Sequence, residues 1–258
     1  MAVLLTELKG STLVLTMNRP EALNALSNQL TAALLHEERA ATERRDVRSI
    51  LITGAGERAF SAGTDLKERK DFNSDQKWAQ AQALWDVNQA IWQSPKAVVA
   101  AVGGWCLGGG FVLALYCDMR MAADDAKFSW PEMTLGAYPG SGTLVILPRI
   151  IGRAKAKELL FTARQIDAKD ALAMGVVDRV VPRSELLQSA LGWCQEIEKT
   201  SPLGLATAKR SINDGADLPW QEAAELDQKL RRPLEATRDY EEGIRAHFEK
   251  RKPIFRGR

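Results

Sequence analysis

The sequence predicts an α/β fold of repeated strand–strand–helix units, followed by a purely helical segment. Short β-rich runs alternate with apolar helical patterns up to residue 181. The run 97–102 carries no charge, as is typical of a strand buried on both faces. After Pro182 the patterns become almost wholly helical, which places a boundary near residue 200. We therefore expect a core at residues 1–199 and a C-terminal helical region at residues 200–258.

The predicted elements follow the chain in order. Residues 3–8 and 12–17 favour a hairpin around Lys9-Gly10-Ser11, and a helix is expected from Pro20 to about Arg45 because leucines recur on one face. Further strands are predicted at 48–53, 97–102, 119–122, 127–129 and 176–181. Further helices are predicted at 78–92, 109–116, 153–162, 168–174, 184–199, 203–212, 220–230 and 237–250.

Two glycine-containing turns each follow a predicted strand. Gly108-Gly109-Gly110 precedes an apolar helix, and the turn 54–66 follows the strand at 48–53. Glycine lets a ligand approach bare backbone, and the first N–H groups of a helix favour negative charge. Two such turns that meet in space could form an oxyanion hole, although close helix–strand packing explains the glycine triplet equally well.

Four segments then resemble, in order, the enoyl-CoA hydratase/isomerase (crotonase) superfamily. Residues 59–66 resemble its first fingerprint, 103–118 its second and 126–140 its third, and the tail 248–253 matches its usual ending. The resemblance runs from Leu4 to Arg258. It implies a spiral core of ββα units and a C-terminal helical trimerisation region, hence a homotrimer or a dimer of trimers.

One position departs from the hydratase branch of that family. That branch uses two glutamates, one placed two residues after the glycine triplet and one in the Pro-Glu step. Here the first position is Val112 and the second is Glu132. A single glutamate resembles the isomerase branch, which implies an allylic Δ3–Δ2 shift with Glu132 as the catalytic base and the N–H groups of Thr64 and Gly109 as the oxyanion hole.

The same resemblance implies a set of substrate-binding positions. They are Ser61, Ala62, Asp65, Leu66, Gly108, Val112, Tyr138, Gly140 and Lys250. Several have plainer interpretations. Asp65 fits a helix cap better than a catalyst, Val112 fits a core position that fills the acyl pocket, and Tyr138 fits an ordinary packed tyrosine. Glu132 could be only a first-turn carboxylate that the helix dipole favours.

Other functions remain open at this point. Within enzymes, the alternatives are an enoyl-CoA hydratase, or a decarboxylase or hydrolase of a specialised acyl-CoA. Outside enzymes, they are an acyl-thioester binding protein and an RNA-binding relative. The run 36–46, which an RNA-binding relative would use, mixes four acids with three arginines, so we expect a solvated helix face rather than a phosphate track.

The amino-acid composition indicates which classes of partner and cofactor to expect. The 258 residues carry a net charge of +2, which favours neither nucleic acid nor a membrane surface. The chain has two histidines and no CxxC motif, so we expect no metal, and three cysteines do not suggest a disulfide framework. Glycines interrupt the uncharged stretch 97–117, which favours core elements over a membrane span. With no export signal visible, we expect a cytoplasmic protein that needs no cofactor, coenzyme A being part of the substrate.

Overall fold

Two β-sheets form the framework of the computed structural model, which describes residues 2–258. The strands are β1 (Leu4–Lys9), β2 (Thr12–Met17), β3 (Ser49–Gly54), β4 (Ala59–Ser61), β5 (Ala97–Val102), β6 (Trp105–Leu107), β7 (Met119–Ala123), β8 (Lys127–Ser129), β9 (Ile166–Asp167) and β10 (Arg179–Val181). The larger sheet has the order β1-β2-β3-β5-β7-β10, and the smaller has the order β4-β6-β8-β9. Only the β1–β2 and β8–β9 pairs are antiparallel.

The helices lie between and after these strands. They are α1 (Asn28–Glu43), α2 (Leu66–Arg69), α3 (Ser74–Gln93), α4 (Gly108–Tyr116), α5 (Thr143–Ile151), α6 (Arg153–Thr162), α7 (Ala168–Ala173), α8 (Leu186–Ile197), α9 (Pro202–Gly215), α10 (Trp220–Arg231) and α11 (Arg238–Phe248). Short 3₁₀ helices occur at Pro20–Ala22, Pro131–Leu135, Arg183–Glu185 and Arg232–Ala236. No helix among residues 2–258 is both long and apolar enough to cross a bilayer.

The repeating unit consists of one strand in the larger sheet, one strand in the smaller sheet and then a helix. The successive pairs β3/β4, β5/β6 and β7/β8 each place their first strand in the larger sheet and their second in the smaller one. Helices α3, α4 and α5 follow these pairs in turn. The predicted α/β architecture of ββα units is thus confirmed.

Strand β5 shows why its sequence lacks charge. Its side chains at 98, 100 and 102 pack into the main core with Phe60 and Phe128. Those at 99 and 101 face the opposite way and pack against α8, with Leu186 and Cys194. Because both faces are buried, every residue of the strand is apolar.

The helix predicted from Pro20 to Arg45 was wrong in its first third. The helical conformation ends after Ala22, because Leu23 and Asn24 take left-handed conformations with φ of 53° and 54°. The Asn24 amide is fully buried and donates to the carbonyls of Ala55 at 2.9 Å and Ala59 at 2.8 Å. These long-range hydrogen bonds stabilise the non-helical conformation at residues 23–24. Helix α1 begins only after its N-cap residue, Ser27.

Other elements also differ from the prediction. Helix α3 begins at Ser74, not at residue 78, since Asn73 and Gln76 form a capping box. The strand expected at 176–181 is confined to β10, because the preceding residues turn out of α7. The short elements α2, β4, β6 and β9 were not predicted, nor was helix α5, which carries Pro148 in its interior.

A buried lysine fastens α9 to the core. Lys209 Nζ donates to Asp118 Oδ2 at 2.8 Å, Ile91 O at 2.8 Å and Lys96 O at 3.1 Å. Most of the run 36–46 is exposed or half-buried, as expected of a solvated helix face, but Glu38 lies on the buried side of the helix near Lys209 and is only 1% exposed. The boundary expected near residue 200 falls between α8 and α9, and the division into two domains stays a prediction.

Candidate active site

Three neighbouring parallel strands end at one place. Strands β4, β6 and β8 lie side by side, and the turns at 62–66, at 108–110 and at Pro131-Glu132 follow their carboxyl ends. Ligands of parallel sheets bind at such ends. The sheet therefore gathers segments that lie far apart in sequence.

The two glycine turns are in direct contact. A Cβ built on Gly63 would lie 2.9 Å from Gly109 N, and one on Gly109 would lie 3.4 Å from Thr64 N. Leu26 fixes the first turn on both sides of Thr64, donating to Gly63 O at 2.7 Å and accepting from Asp65 N at 3.2 Å. Gly109 N belongs to the first turn of α4, where N–H groups have no intrahelical partner. The two turns that carry the Thr64 and Gly109 N–H groups are thus in contact, as an oxyanion hole made from both would require.

The carboxylate of Glu132 occupies the space beside Gly108. A Cβ at Gly108 would collide with Glu132 Oε1 and lie 3.0 Å from its carboxyl carbon. Gly108 also has a φ of +48°, which side chains rarely adopt. Glycine at position 108 therefore permits the left-handed backbone conformation and leaves room for the Glu132 carboxylate.

Glu132 is held by a short 3₁₀ helix rather than by side-chain contacts. Pro131 starts that helix, and Ala137 N closes the following turn by donating to Glu132 O at 2.8 Å. The Oε2 atom is buried and has no hydrogen-bond partner among residues 2–258. Burial raises the pKa of the Glu132 carboxyl above its ordinary value. These are the properties of a group that accepts a proton readily.

A cavity of about 130 Å³ lies in front of this carboxylate. Among the predicted site residues, it is lined by Ala62, Thr64, Leu66, Gly108, Gly109, Val112, Glu132, Tyr138 and Gly140. Sequence analysis did not single out the other lining residues, Arg69, Ala81, Leu84, Pro131, Leu135, Ala137, Ser141 and Thr143. Pro131, Leu135 and Ala137 lie within the segment 126–140 that carries the third resemblance. Ala81 and Leu84 come from α3, and Ser141 and Thr143 come from the start of α5 and the turn before it, whose packing no local motif indicates.

Three predicted site residues do not line the cavity. Ser61 Oγ donates to Asn24 O at 2.8 Å and accepts from Gly63 N at 3.2 Å, so it holds the first turn. Asp65 caps α2 and pairs with Arg19 at 2.8 Å. Burial alone would raise the pKa of Asp65, but the bond from Arg19 and the capping N–H groups bring it below its ordinary value. Lys250 is exposed after the end of α11, and its contact with substrate stays a prediction.

Val112 and Tyr138 differ in their surroundings. Val112 is 1% exposed and lines the cavity from α4, as expected of a core position that shapes the pocket. Tyr138 is 72% exposed, so the interpretation as an ordinary packed tyrosine was wrong. Among the described residues that line the cavity, Glu132 is the only carboxylate.

Fold and site together define a class of protein: a mixed α/β fold in which two glycine turns meet beside one largely buried carboxylate, an arrangement suited to acid–base chemistry. A family model described as enoyl-CoA hydratase/isomerase matches residues 7–258. The chain belongs to the enoyl-CoA hydratase/isomerase family.

Named relatives cover nearly the whole chain. The 2,3-dehydroadipyl-CoA hydratase of Escherichia coli is 36% identical over 260 residues, covering 100% of both chains. The short-chain-enoyl-CoA hydratase of Clostridium acetobutylicum is 35% identical over 246 residues, covering 95% of this chain and 94% of that one. The crystal structure of an enoyl-CoA hydratase from Bacillus anthracis superposes with a TM-score of 0.97 at 33% identity, covering 99% of this chain and 100% of that one.

Proposed function

We propose that this protein isomerises 3-enoyl-CoA thioesters to 2-enoyl-CoA thioesters, with Glu132 as the only acid–base group. The observation that carries the proposal is that Glu132 and the apolar Val112 line the same cavity, with no second carboxylate among the described residues that line it. A single carboxylate is sufficient for a proton shift. The two-carboxylate water addition that the resemblance attributes to hydratases lacks its second group here.

The reaction needs one proton carrier and one oxyanion site. The Glu132 carboxylate removes a proton from C2, and the electron pair moves into the thioester carbonyl to give an enolate. The N–H groups of Thr64 and Gly109 hold the enolate oxygen, a role worth on the order of 10²–10³ in rate per donor. Glu132 then returns a proton to C4, and the double bond moves from C3–C4 to C2–C3. Only a proton moves, so the proposed reaction requires no cofactor beyond the coenzyme A of the substrate.

Hydration of a 2-enoyl-CoA is the second candidate function. The printed names of the relatives favour it, since both the Escherichia coli and the Clostridium acetobutylicum proteins are called hydratases. A one-carboxylate hydratase would need Glu132 alone to orient water and to move the proton.

Mass spectrometry in heavy water separates the two reactions. Purified protein is incubated with 3-hexenoyl-CoA and, separately, with 2-hexenoyl-CoA. Isomerisation gives a product of the same formula that gains only exchanged deuterium. Hydration adds the mass of one heavy water to 2-hexenoyl-CoA. Rapid water addition without any conversion of 3-hexenoyl-CoA would replace the isomerase proposal by the hydratase one.

We further propose that the C-terminal helical region carries a trimer contact. Seven large apolar side chains there are exposed, among them Trp220 at 86%, Phe248 at 80% and Ile254 at 67%. The leucines expected at this contact, Leu203, Leu205, Leu226 and Leu230, are each partly buried in the single chain. Large exposed apolar side chains favour association where they lie in one patch. Sedimentation equilibrium should give a trimer or hexamer mass, and a monomer at micromolar concentration would contradict the proposal.

A further inference from the structure

A second cavity, which the proposed reaction does not use, lies beneath α9. It has a volume of about 710 Å³, it is open to solvent where Ile212 is 70% exposed, and its apolar lining includes Leu115, Tyr116, Ile146, Ile150, Leu205 and Ile212. We call it the apolar chamber. Each charged residue in its lining is already paired: Asp118 with Lys209, Arg120 with Asp178, and Arg149 with Asp217. The chamber therefore suits an uncharged, apolar occupant.

Helices α4 and α5 connect the catalytic cavity to the apolar chamber. On α4, Val112 lines the cavity and Tyr116, one turn later on the same face, lines the chamber. On α5, Thr143 lines the cavity and Ile146 lines the chamber. On each helix, the residue that lines the cavity and the residue that lines the chamber are thus about one helical turn apart.

The side chain of Tyr116 fills that separation. Its ring meets Trp85 edge-on at 6.3 Å and Trp92 at 6.0 Å between centroids, and it is only 6% exposed. Its hydroxyl lies against Gly142, where a side chain would collide with it. Gly142 stands between Ser141 and Thr143, which both line the catalytic cavity. Tyr116 is therefore part of the wall between the two spaces.

We propose that Tyr116 sets the upper length of the acyl group and that the apolar chamber takes the longer tail once the Tyr116 ring is removed. This inference rests on the proposed function, because it assumes an acyl thioester in the catalytic cavity. That cavity of about 130 Å³ is below the roughly 300 Å³ at the small end of ligand pockets. On this proposal, the wild-type protein prefers short acyl groups. Each methylene that reaches the chamber adds about fourfold in affinity.

The test compares chain-length profiles of Tyr116 variants. Saturated butanoyl-, hexanoyl- and decanoyl-CoA are titrated by calorimetry, which needs no turnover, and kcat/KM is measured for 3-hexenoyl- and 3-decenoyl-CoA. In wild type, decanoyl-CoA should bind no tighter than hexanoyl-CoA. In Tyr116→Ala the order should reverse, with decanoyl-CoA more than about tenfold tighter than hexanoyl-CoA. Tyr116→Phe keeps the ring and should keep the wild-type order.

Folding is checked by thermal unfolding of each variant. If Tyr116→Ala does not fold, Tyr116→Leu, which removes the ring but fills part of its space, carries the same prediction. A wild-type affinity that already rises from hexanoyl- to decanoyl-CoA, or an unchanged order in the folded Ala or Leu variant, would overturn the role of Tyr116 alone. Failure of every acyl-CoA to bind the wild-type protein would overturn the proposed function as well.

Discussion

The Glu132 carboxylate lies where a side chain of residue 108 would have to be, so Gly108 and Glu132 are sterically linked. Replacing Gly108 by Ala should displace the carboxylate and cost on the order of 10² in turnover, as expected for a misplacement of about 1 Å. The positive φ adds a stability cost of roughly 1–2 kcal/mol. Steady-state kinetics and urea unfolding of the variant measure the two effects.

Gly10→Ala is the matched control for that substitution. Gly10 has a φ of +65° and nothing within 4 Å of a built Cβ, so it carries the backbone cost without the collision. It should lose stability and keep its turnover. Equal turnover in Gly108→Ala and Gly10→Ala would contradict the steric link.

The buried Glu132 carboxyl should make both activity and stability depend on pH. Because burial raises its pKa, kcat/KM should fall on the acid side with an apparent pKa above the ordinary value of 4.5. A group whose pKa is raised by folding destabilises the folded state as pH rises through that pKa. The melting temperature of Glu132→Gln relative to wild type should therefore be higher near neutral pH, and the difference should shrink towards about pH 4. A difference that grows on acidification would show that the carboxyl is not buried as described.

Lys209 should be needed for the attachment of α9. Replacing it by Met leaves Asp118 without its buried partner, close to Glu38, whose pKa burial already raises. Loss of one member of such a pair costs about 3–5 kcal/mol. Removing the charge of Asp118 as well, in Lys209→Met/Asp118→Asn, should restore part of that loss. Chemical denaturation measures both, with exposed Lys229→Met as the control, and a loss no larger than in that control would argue against the anchor.

Elements that depend on local sequence were predictable. Strand β5 was confirmed because six successive residues are apolar, and the β1–β2 hairpin because Gly10 supplies a left-handed turn residue. The break before α1 was missed because it depends on Asn24, whose amide bonds residues more than thirty positions away. No window of local sequence contains that information.

The site residues likewise fall into those that local sequence predicts and those that only the fold brings together. The glycine turns and the Pro131-Glu132 step are contiguous motifs, so sequence placed them. The contact between Gly63 and Gly109 depends on the pairing of β4 with β6, which only the folded chain shows. The contributions of Leu84 and Thr143 were missed because they arise from the packing of α3 and of the unpredicted α5 against α4.

Turnover of 3-hexenoyl-CoA by Glu132→Gln tests the account most directly. Glutamine keeps the shape of the side chain and removes the base, so kcat/KM should fall by on the order of 10²–10⁴. The fold should survive, as judged by circular dichroism and thermal unfolding, and exposed Glu57→Gln should retain the wild-type rate. Wild-type turnover in a folded Glu132→Gln variant would contradict the assignment of Glu132 as the sole proton carrier.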